Sequence, residues 1–261
     1  MGAEEGFYEA VGDSPGADDL GLAWDATERY AVTLLWEALP EVQSVPAPIE
    51  ELNAAVARIR SAIRKWPYRH LARAAWNGTQ PRPRQPADDT QFWLDAAGAM
   101  ATMGHHLDVD SPLLEPVSLL RPADWAGAVI GLVRSGVNAP VTAEDLVRYT
   151  RGCPEIASER ATDDDGPDYD PFRSAADDDS LSRAFAATLV FWEAVGAVSP
   201  EWWLTRLGWW GLPRALARAW NGDFDRAAWV DSTDSDLTER TWPGTEPHPE
   251  DLGILRPPLG F

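Results

Sequence analysis

Two short segments hold the side chains that are best suited to chemistry. The first is His105-His106-Leu107-Asp108-Val109-Asp110, in which a histidine could serve as a general base beside an aspartate. The second runs from Asp163 to Asp170, and its clustered carboxylates are ligands that hard cations such as Ca²⁺ and Mg²⁺ prefer. Each segment therefore has a specific chemical interpretation, which must be weighed against a purely structural one.

The histidine segment has the spacing HHxxxD and resembles the motif of condensation-type acyltransferases, which implies a general-base role for one histidine. Ser111 stands where that family carries glycine, and the sequence lacks the series of strands that such a domain requires. Zinc binding is an alternative, but only His70 and His248 are available elsewhere and there is no cysteine partner. We interpret the segment as a polar turn after a helix.

The aspartate run spells DDxxD from Asp164 to Asp168, which resembles the magnesium motif of class I terpene synthases. Those aspartates must lie on a helix, whereas Gly166-Pro167 would interrupt a helix here. The spacing also differs from that of an EF-hand loop, although weak calcium binding remains an alternative. We predict that residues 155–180 form an exposed acidic loop, because they contain too few apolar side chains to pack.

The single cysteine, Cys153, excludes an internal disulfide and a cysteine-rich zinc site, and is expected to be a small apolar residue at a helix end. The sequence contains no phosphate-binding glycine loop, no GxSxG elbow and no HExxH helix. We therefore predict a protein that is not an enzyme, with no catalytic, cofactor-binding or metal-binding residues and no cofactor.

The net charge of −20 disfavours nucleic acid and anionic membranes as partners, because a field of that sign repels them. No run approaches the roughly eighteen apolar residues of a membrane span, and the first residues are acidic, so we expect a cytoplasmic protein. Basic residues are concentrated between residues 51 and 86. The candidate binding residues in this cluster are Arg58, Arg60, Arg64, Arg69 and Arg73, with pairing to the acidic loop or simple solvation as the favoured alternative.

Helical periodicity predicts a mainly α protein with a minor β-element. Helices are predicted over residues 24–39, 48–66, 68–76, 90–103, 122–135 and 181–198, with another helix capped by Thr142. We expect an acidic tail (1–20), a helical N-terminal region (21–104), a second helical domain (105–228) that includes the acidic loop, and a proline-rich acidic tail (229–261).

Residues 201–220, EWWLTRLGWWGLPRALARAW, hold five of the fourteen tryptophans. The residues from Leu204 to Gly208 predict a strand and a tight turn, and those from Trp209 onward predict a helix with Pro213 near its start. Coming after three helices, this phrase resembles the LTxLGxWGLPxAL ending of a winged-helix-like domain of unknown function in actinobacterial proteins. The resemblance covers residues 122–222 and implies a fold, with no activity attached to it.

Adjacent tryptophans cannot both face one core, so one member each of Trp202-Trp203 and Trp209-Trp210 is expected to reach a second surface. That surface is either the N-terminal half or a partner protein. We predict Trp202 and Trp210 as partner-binding residues, together with the five arginines named above.

Three hypotheses for function follow. The preferred one is a non-enzymatic interaction or regulatory protein that binds another protein through Trp-rich and acidic surfaces; an immunity protein or antitoxin that masks a basic effector is one version. The second is a DNA-associated winged-helix regulator, which is disfavoured because the expected recognition helix offers only Arg183 and carries Glu193. The third is an enzyme built around His105, His106 and Asp110.

Overall fold

The computed structural model describes residues 17–62, 65, 88–103, 115–158 and 176–220. Within these residues 77% of the chain is helical and no strand forms, so the prediction of a mainly α protein is confirmed. The described helices are α1 (Ala17–Ala38), α2 (Pro40–Gln43), α3 (Ile49–Ala62), α4 (Asp89–Met103), α5 (Pro122–Ser135), α6 (Ala143–Gly152), α7 (Pro154–Ser158), α8 (Asp178–Ala194) and α9 (Arg206–Trp220), with a 3-10 helix at Glu115–Leu119.

Local sequence signals place several helix ends correctly. The helix predicted over residues 122–135 has the bounds of α5, and the one predicted from residue 90 begins one residue earlier, as α4. Thr142 caps α6: its hydroxyl oxygen accepts a hydrogen bond from the Asp145 N–H, and the Asp145 carboxylate accepts one from the Thr142 N–H, both at 3.1 Å. These ends depend on neighbouring residues alone, which explains why they can be predicted.

The first part of the chain is more helical than predicted. Helix α1 begins at Ala17, inside the predicted acidic tail, and Pro40 opens α2 rather than only ending the helix before it. Proline is compatible with the first helical position, where its missing N–H needs no partner. Helix α3 ends at Ala62, and the helix predicted over residues 68–76 lies outside the described residues.

The predicted acidic loop is helical at both of its ends. Residues 155–158 belong to α7, which buries Ile156, and residues 178–180 begin α8, which Asp177 caps by accepting a hydrogen bond from the Ser180 N–H at 2.7 Å. Arg151 in α6 donates to the Ala176 carbonyl at 2.6 Å and pairs with Asp178 at 3.0 Å. The start of α8 is thereby attached to the end of α6. Residues 159–175 lie outside the described part.

The prediction of a strand and a tight turn from Leu204 to Gly208 is wrong for Leu207 and Gly208, which lie in α9. The Thr205 hydroxyl oxygen accepts a hydrogen bond from the Gly208 N–H at 2.9 Å, and a Cβ at Gly208 would lie 2.0 Å from the Ala197 carbonyl oxygen. The glycine therefore serves close packing rather than a turn. Because the helix begins at Arg206, Pro213 lies inside it and not near its start.

What remains of the β-element is two isolated antiparallel bridges, Pro140 with Trp203 and Val198 with Leu204. The first connects the segment between α5 and α6 to the turn between α8 and α9, and the second lies within that turn. The winged-helix arrangement itself stays a prediction.

One hydrophobic core draws side chains from both predicted regions. Helices α4 and α9 pack directly on each other, since a Cβ at Gly211 in α9 would lie 2.2 Å from the ring of Trp93 in α4. An ion pair between Asp95 and Arg218, both largely buried, joins the same two helices. The N-terminal and C-terminal halves thus support each other through this contact.

Candidate functional site

The turn between α8 and α9 presents Trp203 to solvent. Trp203 is 44% exposed, whereas Trp202 is partly buried and packs against the hydrophobic core. The pair therefore divides between two surfaces, as the sequence suggested. The exposed member, however, is Trp203 and not Trp202, the residue predicted to bind a partner.

The backbone at Trp202 explains this division. Its φ of 62° lies in the left-handed region, which costs a bulky side chain on the order of 1–3 kcal/mol. Hydrogen bonds hold it there: the Trp202 N–H donates to the Ser199 carbonyl at 2.9 Å, and the Val141 N–H donates to the Trp202 carbonyl at 2.8 Å. The Ser199 N–H also donates to the Trp203 carbonyl at 2.8 Å. The direction of the Trp203 side chain is thereby set by the surrounding structure.

A second segment lies alongside the turn and adds apolar surface. The Asn138 N–H donates to the Leu204 carbonyl at 2.8 Å, and the Leu204 N–H donates to the Ala139 carbonyl at 2.9 Å. On this segment Val137 and Pro140 are exposed. We call Val137, Pro140 and Trp203, with the exposed carboxylates of Glu144 and Glu201, the Trp203 surface.

The second tryptophan pair is used inside the molecule. Trp210 is buried, and its indole N–H donates to the Val45 carbonyl at 2.9 Å; its second surface is thus the N-terminal half, one of the two possibilities expected for it. Trp209 is partly buried and donates to the Val133 carbonyl at 3.0 Å. The burial of Trp210 leaves little surface for the predicted contact with a partner.

The two described arginines of the basic cluster make contacts within the chain. Arg58 Nη2 lies 3.5 Å from the Ala194 carbonyl oxygen at the end of α8. Arg60 pairs with Asp89 at 2.8 Å, and its guanidinium carbon lies 5.0 Å from the centre of the Phe92 ring. The remaining candidates, Arg64, Arg69 and Arg73, lie outside the described residues.

No protein-family model, curated protein or solved structure matches this chain. The resemblance to actinobacterial proteins with a winged-helix-like domain therefore stays a prediction.

Cys153 is the one candidate for chemistry that the structure describes. Its thiol is buried and donates to Glu155 Oε2 at 3.3 Å, and burial is the main reason that its pKa is raised to about 11. A thiol with that pKa is protonated at neutral pH and a poor nucleophile, in keeping with the expected apolar residue at a helix end. His105, His106, Asp110 and the aspartates from 163 to 170 lie outside the described residues.

In the described part of the chain, the His, Cys, Asp and Glu side chains form no group of three or more with the geometry to hold a metal ion. None of the helices in this part has an apolar stretch of the length that a lipid bilayer requires.

Proposed function

We propose that this chain is a non-enzymatic interaction protein that binds another protein through the Trp203 surface. The observation that carries the proposal is the exposure of 44% of Trp203 on a turn whose backbone is fixed by hydrogen bonds to the neighbouring segment. Tryptophan is among the side chains that contribute most to protein interfaces. Because the turn is already ordered, binding would cost little additional conformational entropy.

Charge suggests the regulatory version of this function. A net charge of −20 favours a basic partner, both by attraction and by faster association. An immunity protein or antitoxin that masks a basic effector would need such a negative charge. We favour this version of the proposed function.

A DNA-associated winged-helix regulator is the second candidate. The observation in its favour is the β-bridge between Pro140, before α6, and Trp203, in the turn after α8, beside a second bridge within that turn. Against it, Arg183 is the only basic residue of α8, and Arg58 and Arg60 have contacts within the chain. A mobility-shift assay with mixed DNA fragments tests this candidate, and a lack of retardation even at low salt would end it.

Affinity purification from the native host tests the preferred function. We expect one protein to co-purify at stoichiometric levels with the wild-type chain and to be lost with Trp203→Ala. Leu119→Ala is the matched control, since Leu119 is 43% exposed but lies on the 3-10 helix before α5. A chain that purifies as a clean monomer with no partner, or a partner lost equally with both variants, would contradict the proposal.

A further inference from the structure

Most acidic side chains near the Trp203 turn already have basic neighbours. Asp145 in the first turn of α6 pairs with Arg148. Glu51 in α3 lies 3.9 Å from Arg206 at the start of α9. Glu193, near the end of α8, faces the positive charge of Arg58. The charges of these three acids are at least partly balanced inside the molecule.

Glu144 and Glu201 differ from them. Both are exposed, and neither forms a hydrogen bond or ion pair with another residue in the described part of the chain. Glu201 comes directly before the tryptophan pair. Glu144 lies in the first turn of α6, close in sequence to Pro140, the bridge partner of Trp203. In sequence, the unpaired charges nearest to Trp203 and to its bridge partner Pro140 are therefore negative.

We infer that the segment of the partner that docks here is cationic, an inference that rests on the proposed function. An arginine or lysine head would lie over the Trp203 ring, whose electron-rich face attracts cations. The aliphatic stem of that side chain would lie along Val137 and Pro140, and further basic residues would pair with Glu144 and Glu201. A purely apolar segment would instead bury these two carboxylates without compensation, and an acidic segment would be repelled.

The test uses synthetic peptides and a signal that belongs to Trp203 alone. The probe is an octapeptide of alternating arginine and glycine, and the control replaces each arginine by citrulline, which has nearly the same shape but no charge. Binding is followed through the indole N–H resonance of Trp203 in a nitrogen–proton correlation spectrum, assigned by its loss in Trp203→Phe. We expect the arginine peptide to shift this resonance, the citrulline peptide to leave it in place, and added salt to weaken the effect.

The two carboxylates are tested with Glu144→Gln/Glu201→Gln. This variant should raise the Kd of the arginine peptide about fivefold, as expected for the loss of two exposed ion pairs. The matched control is Glu37→Gln/Asp179→Asn, which removes the same charge from exposed positions on α1 and at the start of α8. It should change the Kd by less than about twofold, because salt screens distant charges.

Several outcomes would overturn the inference. An equal shift with the citrulline peptide would show that Trp203 is a docking site that does not select charge, so the proposed function would stand and the cationic partner would not. Equal losses with the two double variants would mean that only the overall charge matters. No shift with either peptide would also refute a cationic segment, while the co-purification experiment would still decide separately whether Trp203 binds a protein.

Discussion

Trp210 and Arg214 bind the same backbone carbonyl. The Trp210 indole N–H and Arg214 Nη2 donate to the Val45 oxygen at 2.9 and 3.2 Å, and the guanidinium carbon lies 4.6 Å from the centre of the Trp210 ring. Arg214 also donates to the carbonyls of Val42 and Gln43, at 2.8 and 3.0 Å. The chain that follows α2 is thus held on α9 by two side chains one helical turn apart.

Replacing Arg214 should loosen this attachment. Burial lowers the pKa of its guanidinium, so part of the hydrogen-bond gain is offset by the cost of removing the charge from water. We expect Arg214→Met to lower the free energy of unfolding by about 1–3 kcal/mol, because three carbonyls lose a donor. Arg214→Lys should lose less stability than Arg214→Met, because lysine keeps the charge although it lacks the forked guanidinium group.

Urea unfolding followed by circular dichroism measures both changes. Arg183→Met is the control, because Arg183 is exposed on α8 and, among the described residues, donates only to the nearby Ser180 hydroxyl. If Arg214→Met were as stable as this control, the contacts to the segment after α2 would contribute no net stability.

A second prediction concerns the close contact of α4 and α9, where Gly211 lies against Trp93. Gly211→Ala would place a Cβ 2.2 Å from the Trp93 ring, so the helices would have to separate. We expect a loss of about 1–3 kcal/mol, typical of overpacking in a core. Gly152→Ala, at the end of α6, meets no atom within 4 Å and should gain up to about 1 kcal/mol. Thermal unfolding of the two variants should shift in opposite directions, and equal shifts would argue against the tight contact.

Glu155 should stabilise the fold at neutral pH and lose this effect at acidic pH. Its hydrogen bonds with Arg134, at 2.5 and 3.1 Å, are the main reason that the pKa of Glu155 lies below its usual value. The folded state therefore binds the proton less tightly than the unfolded state, and the stabilisation is lost as the pH falls through the lowered pKa. Glu155→Gln should cost about 1 kcal/mol at pH 7 and progressively less as the pH falls through the lowered folded-state pKa, measured by urea unfolding. A constant difference across this range would exclude the linkage.

Glu193 should show the opposite pH dependence. Burial raises the pKa of this carboxyl, and the charge of Arg58 only partly counteracts it. Because the folded state holds the proton more tightly, the protein should lose stability as the pH rises from the unfolded-state pKa through the raised folded value. Glu193→Gln should thus be more stable than wild type at pH 7 and equal to it at low pH. Glu37→Gln, at an exposed position of α1, is the control and should show neither change.

The sequence predicted those features that depend on neighbouring residues. The bounds of α5 and the Thr142 cap follow from apolar spacing, a proline at the first helical position and a capping pair. The choice between Trp202 and Trp203 could not be predicted in this way. It depends on a left-handed backbone at Trp202 that is held by Val141, a residue distant in sequence. The Trp pairs did indicate that two surfaces were needed, but only the fold decides which ring faces which surface.

The contacts of Arg151 have a consequence for how this chain can evolve. Helix α7 follows α6 directly, and Arg151 in α6 holds both Ala176 and Asp178. Both flanks of residues 159–175 are therefore attached at one end of α6. Closing a longer or shorter connection costs little more, since the entropy changes only with the logarithm of its length. A change in the number of residues between these flanks would therefore leave the contacts of Arg151 with Ala176 and Asp178 in place.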